Sequence, residues 1–240
     1  MSTHESSLLA HQQNSRRSFE AESPWERRAL AGGIIFVVVQ LLALGYALAF
    51  MFPEKPLPGA ELAQHAAWYA QHGAALITNN YLLTLPMPFF LLFLGGLFGV
   101  LHRVEGGSGA LTMATVLAGG LMAFTWPLGC IMTNMGVTIA REGGNAATIW
   151  ALDGMAPMTL ALSALPRALF LSASSIVLLH ARLTPRWIGW LGLVLAVISF
   201  VGSATLVFPA LFPLLSLGTL VFVLWILALS LVLLTTPSTK

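Results

Sequence analysis

Charge is scarce in this chain: 11 basic and nine acidic residues among 240, or 8%, against roughly 25% in an ordinary soluble domain. A soluble globular enzyme could not cover its surface with so few. A nucleic-acid-binding face is excluded as well, because it needs clustered Lys and Arg. Cysteine is almost absent, and Cys130, the only one, has no partner for a disulfide within the chain. What fills the chain instead is apolar: 57% of residues are hydrophobic, and the mean hydropathy is +0.84. The sequence describes an integral membrane protein with the lipid bilayer as its main partner.

Crossing about 30 Å of hydrocarbon takes about 20 apolar residues in helical form. Six windows qualify: Leu30–Phe52, Leu76–Leu101, Ala110–Met135, Met155–Leu179, Trp187–Phe208 and Leu214–Leu234. They are continuous and rich in Leu, Ala and Gly, without the alternation of barrel strands. The fold expected is therefore all-α, a polytopic bundle of six transmembrane helices over residues 23–235.

Basic residues in short loops set orientation. Arg16, Arg17, Arg27, Arg28, Arg103, Arg182, Arg186 and Lys240 fall on one side, Lys55 and Arg141 on the other. This asymmetry predicts a multi-pass protein of the bacterial inner (cell) membrane with both termini cytoplasmic. Residues 1–22, polar and without a signal-peptide core, read as a disordered cytoplasmic tail, and 236–240 as a second one. Ser23-Pro24-Trp25-Glu26 reads as a capping box that opens the first helix.

An internal similarity runs through the chain. Glu61–Thr78 aligns with Glu142–Thr159 through Glu61/Glu142, Gly73/Gly154 and Thr78/Thr159, and Leu85-Pro86 then matches Leu165-Pro166. Both copies lead from an external segment into a span of the same direction. The sequence thus predicts a parallel internal repeat of helical hairpins, with spans one and two, three and four, and five and six as units.

Several polar residues need a reason to sit in such a chain. Arg167 lies inside span four, about a dozen residues from either end of its apolar window, which at about 1.5 Å per residue places it near mid-bilayer. Buried charges of that kind face the bundle and mark functional paths. No acidic residue lies in any of the six windows. Neutral neighbours are expected instead: Asn79, Asn80, Tyr81, Asn134 and Gln40, or carbonyls freed by proline. Pro86, Pro88, Pro127, Pro157 and Pro166 each remove a backbone donor, and with Arg167 they predict a central crevice. A guanidinium lacking a carboxylate suits a small anionic ligand or a lipid headgroup.

On the external segment, expected as an amphipathic helix at 58–73, Glu61, His65, Trp68 and His72 share one helical stripe, and Asp153 aligns with His72 in the repeat. Glu61, His65, His72 and Asp153 are a candidate metal site, although Asp153 also reads as the N-cap of span four. His102 and His180 end spans on the basic side, where haem ligation is an alternative to a boundary role. Gly106-Gly107-Ser108-Gly109 carries the letters of the rhomboid protease motif, but on a loop. None of these forms a dense catalytic constellation, and no cofactor is required.

From Leu178 to Gly192 the chain reads LLHARLTPRWIGWLG. This stretch resembles bacterial multi-span proteins of the domain of unknown function 4386 family, in which a span ends, a short basic loop leads to Leu/Thr-Pro-Arg, and the next span opens with an aromatic-Leu-Gly pattern. The resemblance is local to residues 178–208 and implies a six- or seven-helix bacterial inner-membrane protein.

Two functional readings follow. The first is a non-enzymatic bundle whose crevice binds, or also transports, a small anionic or amphipathic ligand through Arg167. The second is an accessory subunit that packs on another membrane protein, or on a copy of itself, through small-residue faces such as Gly95-Gly96-xx-Gly99 and Gly119-Gly120. A metal- or haem-dependent membrane enzyme is a third.

Overall fold

The computed structural model describes residues 24–56 and 60–235. Regular structure there is helical throughout: α1 (Pro24–Phe50), α2 (Leu62–Thr84), α3 (Met87–Glu105), α4 (Ala110–Thr125), α5 (Leu128–Arg141), α6 (Ala146–Ala181), α7 (Arg186–Ser203) and α8 (Phe212–Thr235), with 3-10 turns at Phe52–Glu54, Ala204–Leu206 and Pro209–Leu211. These make six spans long and apolar enough to cross a membrane, because α2 and α3 form one and α4 and α5 another. The chain is a polytopic all-α membrane protein. Both tails and Ser23 of the capping box lie outside the described residues.

Six helices close into a ring in the order α1, α3, α4, α6, α7, α8, with α8 packed back on α1. The expected hairpin pairs, α1 with α3, α4 with α6 and α7 with α8, are neighbours in this ring. Its axis is filled by aromatic side chains. Phe36 meets Phe90 at 5.1 Å between ring centroids, and Phe170 stands edge-on to Phe222 and Trp225, each at 6.1 Å. Aromatic packing thus occupies the centre of the ring at these residues. Edge-to-face rings attract through their quadrupoles.

Glycines let the ring close. A Cβ on Gly32 of α1 would lie 2.6 Å from the Phe89 carbonyl oxygen, and one on Gly96 of α3 would lie 2.9 Å from the Leu30 nitrogen. The α1 and α3 backbones thus touch, as small residues permit in lipid. Gly96, Gly99 and Gly119 are spent on these internal contacts, whereas Gly95 and Gly120 face open space. Arg27 Nη2 donates to the Leu234 carbonyl over 2.8 Å, which places the start of α1 beside the end of α8. Both described chain ends thus lie at one end of the bundle, called proximal here.

At the other, distal end the spans differ in length. The second, third and fourth run for 44, 32 and 36 residues and the fifth for 21, where a crossing needs about 20. The surplus of the second alone is about 36 Å at about 1.5 Å per residue. The turn between α7 and α8 fixes the level, since Leu215, near the start of α8, packs on Ala161 and Ala164. The 15 residues of α6 before Ala161 therefore stand beyond this turn. Around them α2, α5 and the end of α1 form a distal cap with its own apolar cluster, including Met51, Trp68, Tyr69, Leu76, Val137 and Ile149.

Three expectations change accordingly. The external segment expected at 58–73 continues, from Leu62, into one helix, α2, which runs unbroken to Thr84. Of the prolines, Pro86 and Pro127 break their spans, whereas Pro157 and Pro166 are carried inside α6. Finally, α6 starts at Ala146 and is capped by Asn145, whose side chain accepts the Ala147 N–H over 2.8 Å. Asp153 lies well inside the helix and is not its N-cap.

Candidate functional site

Arg167 is fully buried, held on α6 where α7 and α8 converge. Its Nε donates to Ser199 Oγ over 3.0 Å and its Nη1 to Thr219 Oγ1 over 2.6 Å. The guanidinium carbon lies 5.7 Å from the centre of the Phe222 ring, a position that stabilises a cation. Thr219 passes its own proton to the Leu215 carbonyl, so both Arg167 partners are neutral hydroxyls. Nη2 has no hydrogen-bond partner.

Along the bundle, the site lies toward the distal turn. Arg167 is 21 residues from the start of α6 and 14 from its end, but the distal part of α6 belongs to the cap. Measured on its neighbours, Ser199 is four residues before the end of α7, and Thr219 is seven after the start of α8. At about 1.5 Å per residue the guanidinium partners lie about 6–10 Å below the distal turn. That turn contributes Thr205, buried with its hydroxyl unpartnered. On the outer side of α6 and α7 runs an apolar groove of about 430 Å³, lined by Leu165, Ala168, Leu169, Ser172, Ala196, Val197 and Phe200. Ala168 and Ala196 in that lining are one and three residues from Arg167 and Ser199.

The neutral residues expected around Arg167 lie elsewhere. Asn80 donates to Asn134 Oδ1 over 2.7 Å and to the Cys130 carbonyl over 3.3 Å, which ties α2 to α5. Asn79 is buried beside it with Oδ1 unpartnered, and Tyr81 is exposed. Gln40 on α1 donates to the Leu83 carbonyl, next to the break that Pro86 makes. Arg167 instead uses Ser199 and Thr219, which the sequence did not single out. Hydroxyls are common in membrane helices because they can bond their own backbone, and these two gave no signal.

In the cap, Glu61, His65, His72 and Asp153 do not converge on a common point. Glu61 is exposed ahead of α2. His65 is buried with both ring nitrogens unpartnered, as is the Trp68 indole nitrogen. His72 bonds Glu54 over 2.9 Å. Asp153 accepts from Tyr69 over 2.7 Å and pairs with Lys55 over 3.2 Å. His72 and Asp153, aligned in the repeat, thus hold two adjacent residues of the same link. Among the described residues no group of three or more His, Cys, Asp or Glu is gathered for a metal ion. His102 stacks on Phe98 at the end of α3, and His180 is exposed in the last turn of α6.

No family model, curated protein or solved structure matches the chain.

Proposed function

We propose that this chain is a bacterial inner-membrane protein with cytoplasmic termini, related to the family that Leu178–Gly192 resembles. In this reading it binds the negative group of a small amphipathic ligand at Arg167. One observation carries the reading: a fully buried guanidinium has neutral hydroxyls for its bonded partners and one amino nitrogen unpartnered. An uncompensated charge within a membrane costs several kcal/mol, and a carboxylate or phosphate would offset that cost. The planar guanidinium fork suits such groups, since it can donate two parallel bonds. Access is from the distal side, where the site is shallowest. The ligand's chain follows the lipid-facing groove between α6 and α7. Binding, not chemistry, is the activity, and transport would be a further step.

The test is thermal unfolding of the detergent-solubilised protein during titration with phosphatidylglycerol and, separately, phosphatidylcholine. The anionic lipid should raise the wild-type midpoint and the zwitterionic one should not. Arg167→Met should abolish the shift, while Arg167→Lys, which keeps the charge but loses the fork, should leave only part of it. Equal shifts in wild type and Arg167→Met would overturn the reading.

A further inference from the structure

His72, in the cap and apart from Arg167, makes two bonds that a neutral ring cannot make together. Its Nδ1 lies 3.1 Å from the Trp68 carbonyl oxygen, and its Nε2 lies 2.9 Å from a Glu54 carboxylate oxygen. A carbonyl only accepts, and so does a carboxylate oxygen that carries no proton. Neutral imidazole carries one N–H, while imidazolium carries two. Only a cationic ring can donate to both at once. Its surroundings agree, since the ring lies flat on the Trp68 indole, 5.2 Å between centroids and 21° from parallel. The face of an indole favours a cation.

Glu54 and Lys55 end the turn that follows α1. Lys55 pairs with Asp153 of α6 and reaches over the same Trp68 ring. The link from α1 to α2 is thus fastened at adjacent residues, to α2 through His72 and to α6 through Asp153. Other charged groups lie on the elements packed here. Arg141 of α5 packs at Gly73, where an added Cβ would come 3.0 Å from its Nε. Arg141 and Lys55 oppose a second positive charge, whereas Glu54 and Asp153 favour it.

We propose that the His72–Glu54 pair is a proton-dependent clamp on the Phe52–Glu54 turn after α1, closed while the ring carries two protons and released when it loses one. Imidazole is the side chain whose ordinary titration falls between about pH 5 and about pH 8. The sign follows from the bonds: the protonated ring closes the clamp, so acid holds the turn and rising pH frees it. The Lys55–Asp153 pair remains, so release is local and does not unfold the cap. This inference does not depend on the Arg167 reading.

A nitroxide placed at Pro53→Cys, on the exposed turn beside Glu54, in a Cys130→Ala background, tests it by electron paramagnetic resonance on the full chain. The wild-type line shape should be immobilised near pH 5 and should gain a mobile component near pH 8, within the range of imidazole titration. His72→Phe, which keeps the ring stack without the bonds, should be mobile at both values. Glu54→Gln, at an exposed position, should also lose the pH response, and it keeps the test valid if His72→Phe fails to fold. A wild-type line shape unchanged between the two values would overturn the proposal. So would a response that survives in either variant but disappears in His65→Phe, because the other cap histidine would then be the sensor.

Discussion

Arg167 is legible in the sequence because a charge inside an apolar run is conspicuous, but its partners are not. Ser199 and Thr219 lie 32 and 52 residues away, and nothing in their local sequence separates them from hydroxyls that bond only their own helix. Asp153 shows the opposite error. Read locally it is a helix cap, yet Asn145 takes that role, and Asp153 serves two residues from distant parts of the chain. Tyr69 is buried and its hydroxyl donates to Asp153, so the two substitutions at this position should differ. Asp153→Asn keeps an oxygen that can accept from Tyr69, whereas Asp153→Ala removes that acceptor and leaves the buried hydroxyl only Thr133, at about 1 kcal/mol or more. Thermal unfolding should therefore rank wild type, then Asp153→Asn, then Asp153→Ala. Equal stability of the two variants would show that the Tyr69 bond contributes nothing.

Helices were legible from their apolar runs, while their limits and breaks were not. Proline composition alone does not say which proline interrupts a span. Pro86 and Pro88 together remove two donors within three residues, and the chain breaks there, with the Leu83 carbonyl taken up by Gln40. Pro127 is followed by Gly129, where a Cβ would lie only 2.6 Å from Thr159 Oγ1, so the break lets α5 close tightly onto α6. Such close approaches predict which glycines matter. At Gly33 of α1 an added Cβ would collide with Ser230 Oγ of α8 and come 2.8 Å from Phe93 of α3, whereas at Gly45 it would meet nothing within 4 Å. Gly33→Ala should cost about 1–3 kcal/mol through overpacking. Gly45→Ala, on the same helix, should be neutral or stabilising by up to about 1 kcal/mol through helix propensity. Unfolding midpoints in detergent measure both, and a tolerated Gly33→Ala would contradict the described α1–α3–α8 contact.

For the molecule as a whole, the number of spans was readable and the cap was not. Helix that continues past the bilayer looks, in hydropathy, like a polar loop after a span. The residues that build the cap on α2, such as Ala, Gln, His and Trp, are too polar for a lipid-facing helix and read in the sequence as an external amphipathic segment. The aromatic filling of the ring was likewise hidden, since Phe in an apolar run does not reveal whether it faces lipid or another helix. The orientation proposed from loop charge makes its own prediction. Single cysteines at positions 60 and 145, in a Cys130→Ala background, should react with an impermeant thiol reagent from outside intact cells. Those at 106 and 184 should be protected, and the reverse pattern would invert the side from which Arg167 is approached.

The claim that Arg167 holds an anionic ligand is tested most directly by native mass spectrometry of the protein released gently from its own membranes. The wild type should carry a bound molecule with a carboxylate or phosphate group, and Arg167→Met should be folded and free of it. Met is a fair replacement, because Met87 follows Pro86 as Arg167 follows Pro166, and it is buried in α3. An identical adduct on both proteins, or none on either, would contradict the account and leave Arg167 as a packing element between α6, α7 and α8.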